Sequence, residues 1–283
     1  MNEFIIKAPA KVNFSLDVVG KRADGYHEMR MINHAIALSD VLVFKKTDFG
    51  IKILCSDPRI PTDKNNLVYK VAEKLQQQYG ITQGVCIDIQ KNIPSEAGLA
   101  GGSSDGAATI LGLNIIWHLK LSLNEMIRFG STIGADIPYC CFKGTALVEG
   151  FGEKIKPIKP IRPMNVLVVK PDINIATPWA FGCLDGALEM NHPDIDQIIH
   201  CIEIEDYTSL RDLMGNTFEE AVFKEYPLIG KIKKEMFKQG AWSAIMSGSG
   251  STVIGYFETV KDATKAYHHF KKIYKVTFLT ETE

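Results

Sequence analysis

The 283-residue sequence is 46% hydrophobic and 23% charged, proportions that allow a substantial core and exclude a largely disordered chain. With 32 Lys and Arg against 33 Asp and Glu there is no overall field to draw nucleic acid or an anionic membrane, so an anionic ligand needs a local positive site. No apolar run reaches the ~20 residues of a membrane span, the first residues lack a signal-peptide pattern, and the six cysteines include no CxxC pair; a cytoplasmic protein with reduced thiols is expected.

Alternating side chains predict strands over 11–19 and 29–36, with a charged, glycine-containing turn at 20–25 between them. Further strands are expected at 41–45, 51–54 and 85–90. A helix is predicted over 66–79, where Leu67, Val68, Val71, Ala72 and Leu75 share one face and Gly80 is placed to end it. Two more helices follow at 104–119 and 124–134, and Asp136-Ile137-Pro138 is expected to close that helical region. Strands at 145–148 and 166–170 flank a stretch carrying Pro157, Pro160 and Pro163, which predicts a stiff connection and a domain boundary. Beyond it come helices at 206–214 and 228–239, strands at 244–246 and 252–257, and a helix at 260–274. No internal repeat is visible.

The strongest chemical signal is the segment Lys91 to Asp105, between a predicted strand and a predicted helix. Gly98, Gly101 and Gly102 permit close backbone approach, and with Ser103 and Ser104 they precede a helix whose free N–H groups and positive dipole end suit a phosphate. A flexible connection or a cluster of capping residues has the same composition. No lysine precedes Ser103 or Ser104 as a GxxxxGK[ST] loop demands, and the glycines do not fit GxGxxG. Gly102 to Gly106 does satisfy GxSxG, but a long proline-bearing loop replaces the sharp strand-to-helix elbow of a serine hydrolase. Lys11 in the first strand, Asp136 after a helix, and the glycine-serine turn 247–251 are individually unspecific.

Taken together, these segments resemble the superfamily of galactokinase, homoserine kinase, mevalonate kinase and phosphomevalonate kinase, whose phosphate loop reads Pro-x-x-x-Gly-Leu-x-x-x-Ser-Ser, here Pro94 to Ser104. The segments 9–13, 22–27, 134–138, 150–153 and 246–250 extend the resemblance over nearly the whole chain. Arg22-Ala23-Asp24-Gly25-Tyr26-His27 is similar to the branch that acts on the cytidine diphosphate derivative of methylerythritol. The resemblance implies a two-domain α+β kinase, with an ATP-binding domain over 1–158, a C-terminal domain over 159–283 and an active site in the interdomain cleft.

Residue by residue, it implies that Lys11 and Asp136 are catalytic, the aspartate taking the proton of the attacking hydroxyl and the lysine stabilising charge. ATP would lie on Pro94, Ser95, Glu96, Ala97, Gly98, Leu99, Ala100, Gly101, Gly102, Ser103 and Ser104, with Asn66, Leu67 and Lys91 bordering the adenine. Asn13 would meet the substrate hydroxyls, Tyr26 and His27 would grip the cytidine, and Phe181, with Trp179 as competitor, would stack on the base. Mg2+ is expected to accompany ATP, with no protein ligand assigned. The reaction expected is transfer of the γ-phosphate to the 2-hydroxyl of this soluble substrate, with no nucleic-acid or membrane partner, by a monomer or homodimer. A sister kinase using another alcohol and a non-catalytic nucleotide binder are the rivals. Ala100 stands where such loops often have glycine.

Overall fold

Pairing of long strands organises the chain, and the first of them starts earlier than its alternation suggests. In the computed structural model, which describes residues 3–95, 97–185 and 190–283, β1 (Glu3–Lys21) pairs with β2 (His27–Thr47). Residues 3–10 escaped notice because Lys7 and Pro9 interrupt the apolar pattern, although Ala8 and Ala10 are buried.

Two groups of residues form compact units. The first comprises Met1–Ala10, Leu38–Ser95 and Ala100–Lys143. In it, β3 (Ile51–Cys55) precedes α1 (Leu67–Tyr79) and β4 (Gly84–Gln90). β4 lies antiparallel to β2, from Val41 opposite Gln90 to Thr47 opposite Gly84, and parallel to β3 on its other side. Leu42, Phe44, Ile53, Val85, Ile87 and Ile89 are buried from these strands. The expected face of α1 is the buried one, except that Leu67 is only half-buried, and Gly80 closes the helix with φ +62°.

The next helix, α2 (Gly101–Ile116), is buried along nearly its whole length. A Cβ on Gly112 would come within 2.5 Å of the Phe44 ring, so the ring rests directly on helix backbone. α3 (Leu123–Ser131) opens with a capping box, Ser122 and Glu125 each bonding the other's backbone N–H. Asp136-Ile137-Pro138 does not close the helical region. It opens α4 (Ile137–Phe142), because a proline in the first turn gives up an N–H that has no helical partner anyway.

The second unit comprises Lys11–Ala37, Glu96–Leu99 and Gly144–Glu283. β5 (Thr145–Gly150) is antiparallel to the first part of β2, from Met29 opposite Gly150 to His34 opposite Thr145, and β6 (Lys154–Pro157) borders it. Then follow β7 (Asn165–Lys170), α5 (Thr177–Asp185), α6 (Ile195–Ile204), α7 (Tyr207–Leu213), α8 (Glu219–Glu225) and α9 (Pro227–Lys238). The chain ends with β8 (Ser243–Met246), β9 (Val253–Phe257), α10 (Val260–Lys271) and β10 (Val276–Glu281). The last strands form an antiparallel sheet ordered β10-β7-β9-β8, with Val166 to Val169 and Val253 to Phe257 wholly buried.

Candidate active site

The loop singled out in the sequence bends from β4 into α2. Ala100 adopts φ +54°, a left-handed conformation that reverses the chain at the helix start, and it contributes no side-chain cap. No acidic residue occupies the first turn. The N–H groups of Gly101, Gly102 and Ser103 precede the first helical bond, which Ser104 makes to the Ala100 carbonyl at 2.8 Å. A Cβ at Gly102 would meet nothing within 4 Å, so a bulky anion has access to this end of a 16-residue helix. Ser104 is buried and donates its hydroxyl to the Pro9 carbonyl at 2.7 Å, which fixes the first turn to β1. Pro94 is half-buried and Ser95 exposed, whereas Ala97 and Leu99 are buried. Glu96 lies outside the described residues.

Beneath the loop sits a charge cluster. The Lys91 ammonium contacts a carboxylate oxygen of Asp40 and lies 2.7 Å from Asp105 Oδ2. Burial works to lower the lysine pKa, but the charges of Asp105 and Asp40 outweigh it and leave it raised. Burial pushes Asp105 up to about 7, with Lys91 opposing. Asn66 caps α1: its Oδ1 accepts from Val68 N–H at 2.8 Å and its Nδ2 donates to the Pro61 carbonyl at 2.6 Å. Leu67 faces Gly106 of α2. Asp136 immediately precedes α4 and its side chain does not cap that helix.

In the second unit, the glycine-serine turn after β8 gathers several predicted residues. Asn13 is fully buried; its Oδ1 accepts from Lys11 Nζ at 3.2 Å and from Gly248 N–H at 2.9 Å, while its Nδ2 donates to Asn33 Oδ1 at 2.6 Å. Ser247 Oγ donates to the Gly98 carbonyl at 3.0 Å. Gly98 has φ +69°, and a Cβ there would lie 2.7 Å from the Ser247 carbonyl oxygen. Lys11 N–H in turn donates to the Leu99 carbonyl at 3.1 Å. Asn216, which no motif marked, donates to the carbonyls of Met246 and Gly248 at 2.8 Å each and so shapes the turn.

The Arg22 to His27 turn is built by Asp24, which binds the Arg22 guanidinium and accepts from Tyr26 N–H at 3.1 Å. The His27 ring stacks on Phe181, with centroids 4.4 Å apart and an 18° tilt, and Phe181 meets Phe218 edge-on. Trp179 instead packs against Tyr226. Tyr26 is 63% exposed and leans on Phe151. His27 Nε2 donates to Asp185 Oδ1 at 2.8 Å, and Lys21 binds the other oxygen; both bonds hold the Asp185 carboxyl below its usual range. With Nε2 turned to Asp185, Nδ1 is the ring nitrogen left to meet a ligand.

An uncapped helix end behind a glycine-rich turn, with a second glycine-serine turn braced by asparagines, is the layout of a small-molecule kinase of the GHMP type. The GHMP kinases N terminal domain model matches residues 66–144, and the GHMP kinases C terminal model matches 192–276. A 4-diphosphocytidyl-2-C-methyl-D-erythritol kinase from Clostridium botulinum is 41% identical over 98% of this chain and 99% of its own length. The enzyme of that name from Acetivibrio thermocellus is also 41% identical, over the full length of both chains. A solved 4-(cytidine 5'-diphospho)-2C-methyl-D-erythritol kinase superposes with a TM-score of 0.85 at 27% identity, covering 99% of each chain. Homoserine kinase from Cytophaga hutchinsonii, at 18% identity and a TM-score of 0.78, shares the fold. The chain belongs to the GHMP kinase family, among the 4-diphosphocytidyl-2-C-methyl-D-erythritol kinases. No helix of the described residues is long and apolar enough to cross a membrane.

Proposed function

We propose that the protein transfers the γ-phosphate of ATP to the 2-hydroxyl of 4-diphosphocytidyl-2-C-methyl-D-erythritol. The observation that carries this reading is the full-length identity of 41% to kinases of that name. The uncapped α2 end supports it, since backbone N–H groups and a helix dipole are suited to the phosphates of a nucleotide. The division of labour proposed is an ATP-binding part over 1–158 and a C-terminal part over 159–283.

Phosphoryl transfer demands alignment and charge stabilisation more than covalent chemistry. Asp136 is assigned as the base that takes the proton of the attacking hydroxyl, and Lys11 as the cation that offsets charge on the transferred group. His27, oriented by Asp185, presents Nδ1 as an acceptor suited to the exocyclic amine of cytosine, and Phe181 and Tyr26 offer aromatic faces. Asn13, assigned to the substrate hydroxyls, also holds Lys11 and the Gly248 turn through its amide oxygen. Among the described residues no group of three or more His, Cys, Asp or Glu is arranged to hold a metal. Mg2+ bound mainly by ATP phosphates and water would neutralise phosphate charge.

The test is ADP release by purified protein with Mg-ATP, with and without the cytidine substrate, beside Asp136→Asn. Substrate-dependent release that falls by about a hundredfold or more in the variant is expected. ATP binding without turnover of this substrate would refute the substrate assignment.

A further inference from the structure

In the first unit a buried cluster of three ionisable side chains, Asp40, Lys91 and Asp105, lies against the loop that leads into α2. Asp40 is completely buried near the middle of β2. Its Oδ1 accepts from the backbone N–H groups of Asn92 at 2.5 Å and Ile93 at 2.8 Å, where the chain leaves β4 and enters the phosphate loop. Its other oxygen binds the Lys91 ammonium, and that ammonium also binds Asp105, in the second turn of α2, at 2.7 Å. One continuous set of bonds therefore joins the chain entering the loop to the helix that leaves it. Two further contacts close the same corner: Asn92 Nδ2 donates to the Ser39 carbonyl at 2.9 Å, and a Cβ on Gly101 would sit 3.0 Å from the Ile93 side chain.

Burying three ionisable groups is costly, and apolar residues of similar size would stabilise a core at least as well. What apolar residues could not do is hold two backbone N–H groups and a helix in a fixed relation. We propose that Asp40 is a positioning residue for nucleotide binding: through Lys91 and the 92–93 backbone it fixes the loop entrance against α2, so that the N–H groups of Gly101, Gly102 and Ser103 are held ready for phosphate. The proposal rests on the kinase reading above. It also gives the Lys91 ammonium a task within the protein, alongside the place bordering the adenine expected from its position.

Groups that bind the ground-state phosphates alter nucleotide affinity more than the chemical step. The experiment is calorimetric titration of ADP, with steady-state kinetics, on the full chain and on Asp40→Asn, Lys91→Met and Lys91→Arg, all well below each variant's melting temperature. Asp40→Asn and Lys91→Met are expected to raise the ADP Kd and the KM for ATP about tenfold, with kcat and the KM of the alcohol within about threefold, while Lys91→Arg recovers most of the affinity. Removing one member of a buried charge cluster can prevent folding, so the double variant Asp40→Asn/Lys91→Met is measured as well. Its loss of ADP affinity is expected to match that of either single variant instead of the product of the two. Folded variants that bind ADP within about twofold of the unaltered protein, with only a lower melting temperature, would overturn the proposal. Failure of the unaltered protein to bind ADP would instead remove the kinase reading beneath it.

Discussion

At the scale of single residues, backbone conformation separates two small side chains in the same loop. Ala100 occupies the left-handed region at φ +54°, where a Cβ costs about 1–2 kcal/mol. Ala100→Gly is expected to relieve part of this and to stabilise the protein by about 0.5–1 kcal/mol, after the greater freedom of glycine in the unfolded chain is offset; urea denaturation measures it. Gly98 is the opposite case, since its φ of +69° is joined by a steric conflict with the Ser247 carbonyl. Gly98→Ala is expected to displace the turn after β8 and cut kcat/KM at least tenfold, read from ADP release with both substrates. The glycines were legible as loop punctuation. That one of them meets a residue nearly 150 positions later in the chain was not, because sequence spacing carries no information on such an approach.

At the scale of elements, caps decide where helices begin. Asn66, expected beside adenine, caps α1 with its amide oxygen and secures the Pro61 carbonyl with its nitrogen. Asn66→Ala is therefore expected to cost about 1–2 kcal/mol in chemical denaturation, and Asn66→Asp, which keeps the capping oxygen, to cost less. The helices α1 and α10 and most strands were readable because one apolar face repeats at the right period, whereas α2, buried nearly all round, was readable only as a long run of helix-compatible residues. β10 was missed because its residues are mostly half-exposed on one sheet edge, with no clean alternation. α5 was missed because Trp179, Ala180, Phe181 and Leu184 follow no single stripe, and α6 was overlooked although Asp194 caps it and Ile195, Ile198 and Ile202 share a buried face. The glycine-serine loop from Pro94 to Ser104, the Arg22 to His27 turn and the 247–251 turn were legible as motifs. Asp40, Asn33, Asp185 and Asn216 were not, because each is a lone polar residue whose role comes entirely from partners distant in sequence.

At the scale of the whole molecule, two buried groups give stability opposite dependences on pH. His34 is buried and neutral, with its pKa lowered to about 4 by desolvation; the unfolded chain takes up a proton below about 6.5, so stability falls as pH drops from there towards 4. Asp105, raised to about 7 by burial, keeps a proton that the unfolded chain releases above about 4, so its contribution falls as pH rises between those values. Asp105→Asn removes the second effect alone. Its stability relative to the unaltered protein is expected to climb with pH by about 1.4 kcal/mol per unit across that window, measured by urea titrations at pH 5, 6 and 7. A separate consequence follows from β1 and β2, whose residues are shared between the two compact units, the assignment changing at 10/11, 37/38, 95/96, 99/100 and 143/144. A gene fragment encoding only 144–283 would yield β5 paired with β6 but without β2 on its other side, and Asn216 without its bridge to Leu16. Recombination at a single point therefore cannot hand on either unit intact, because each is assembled from three separate stretches of the chain.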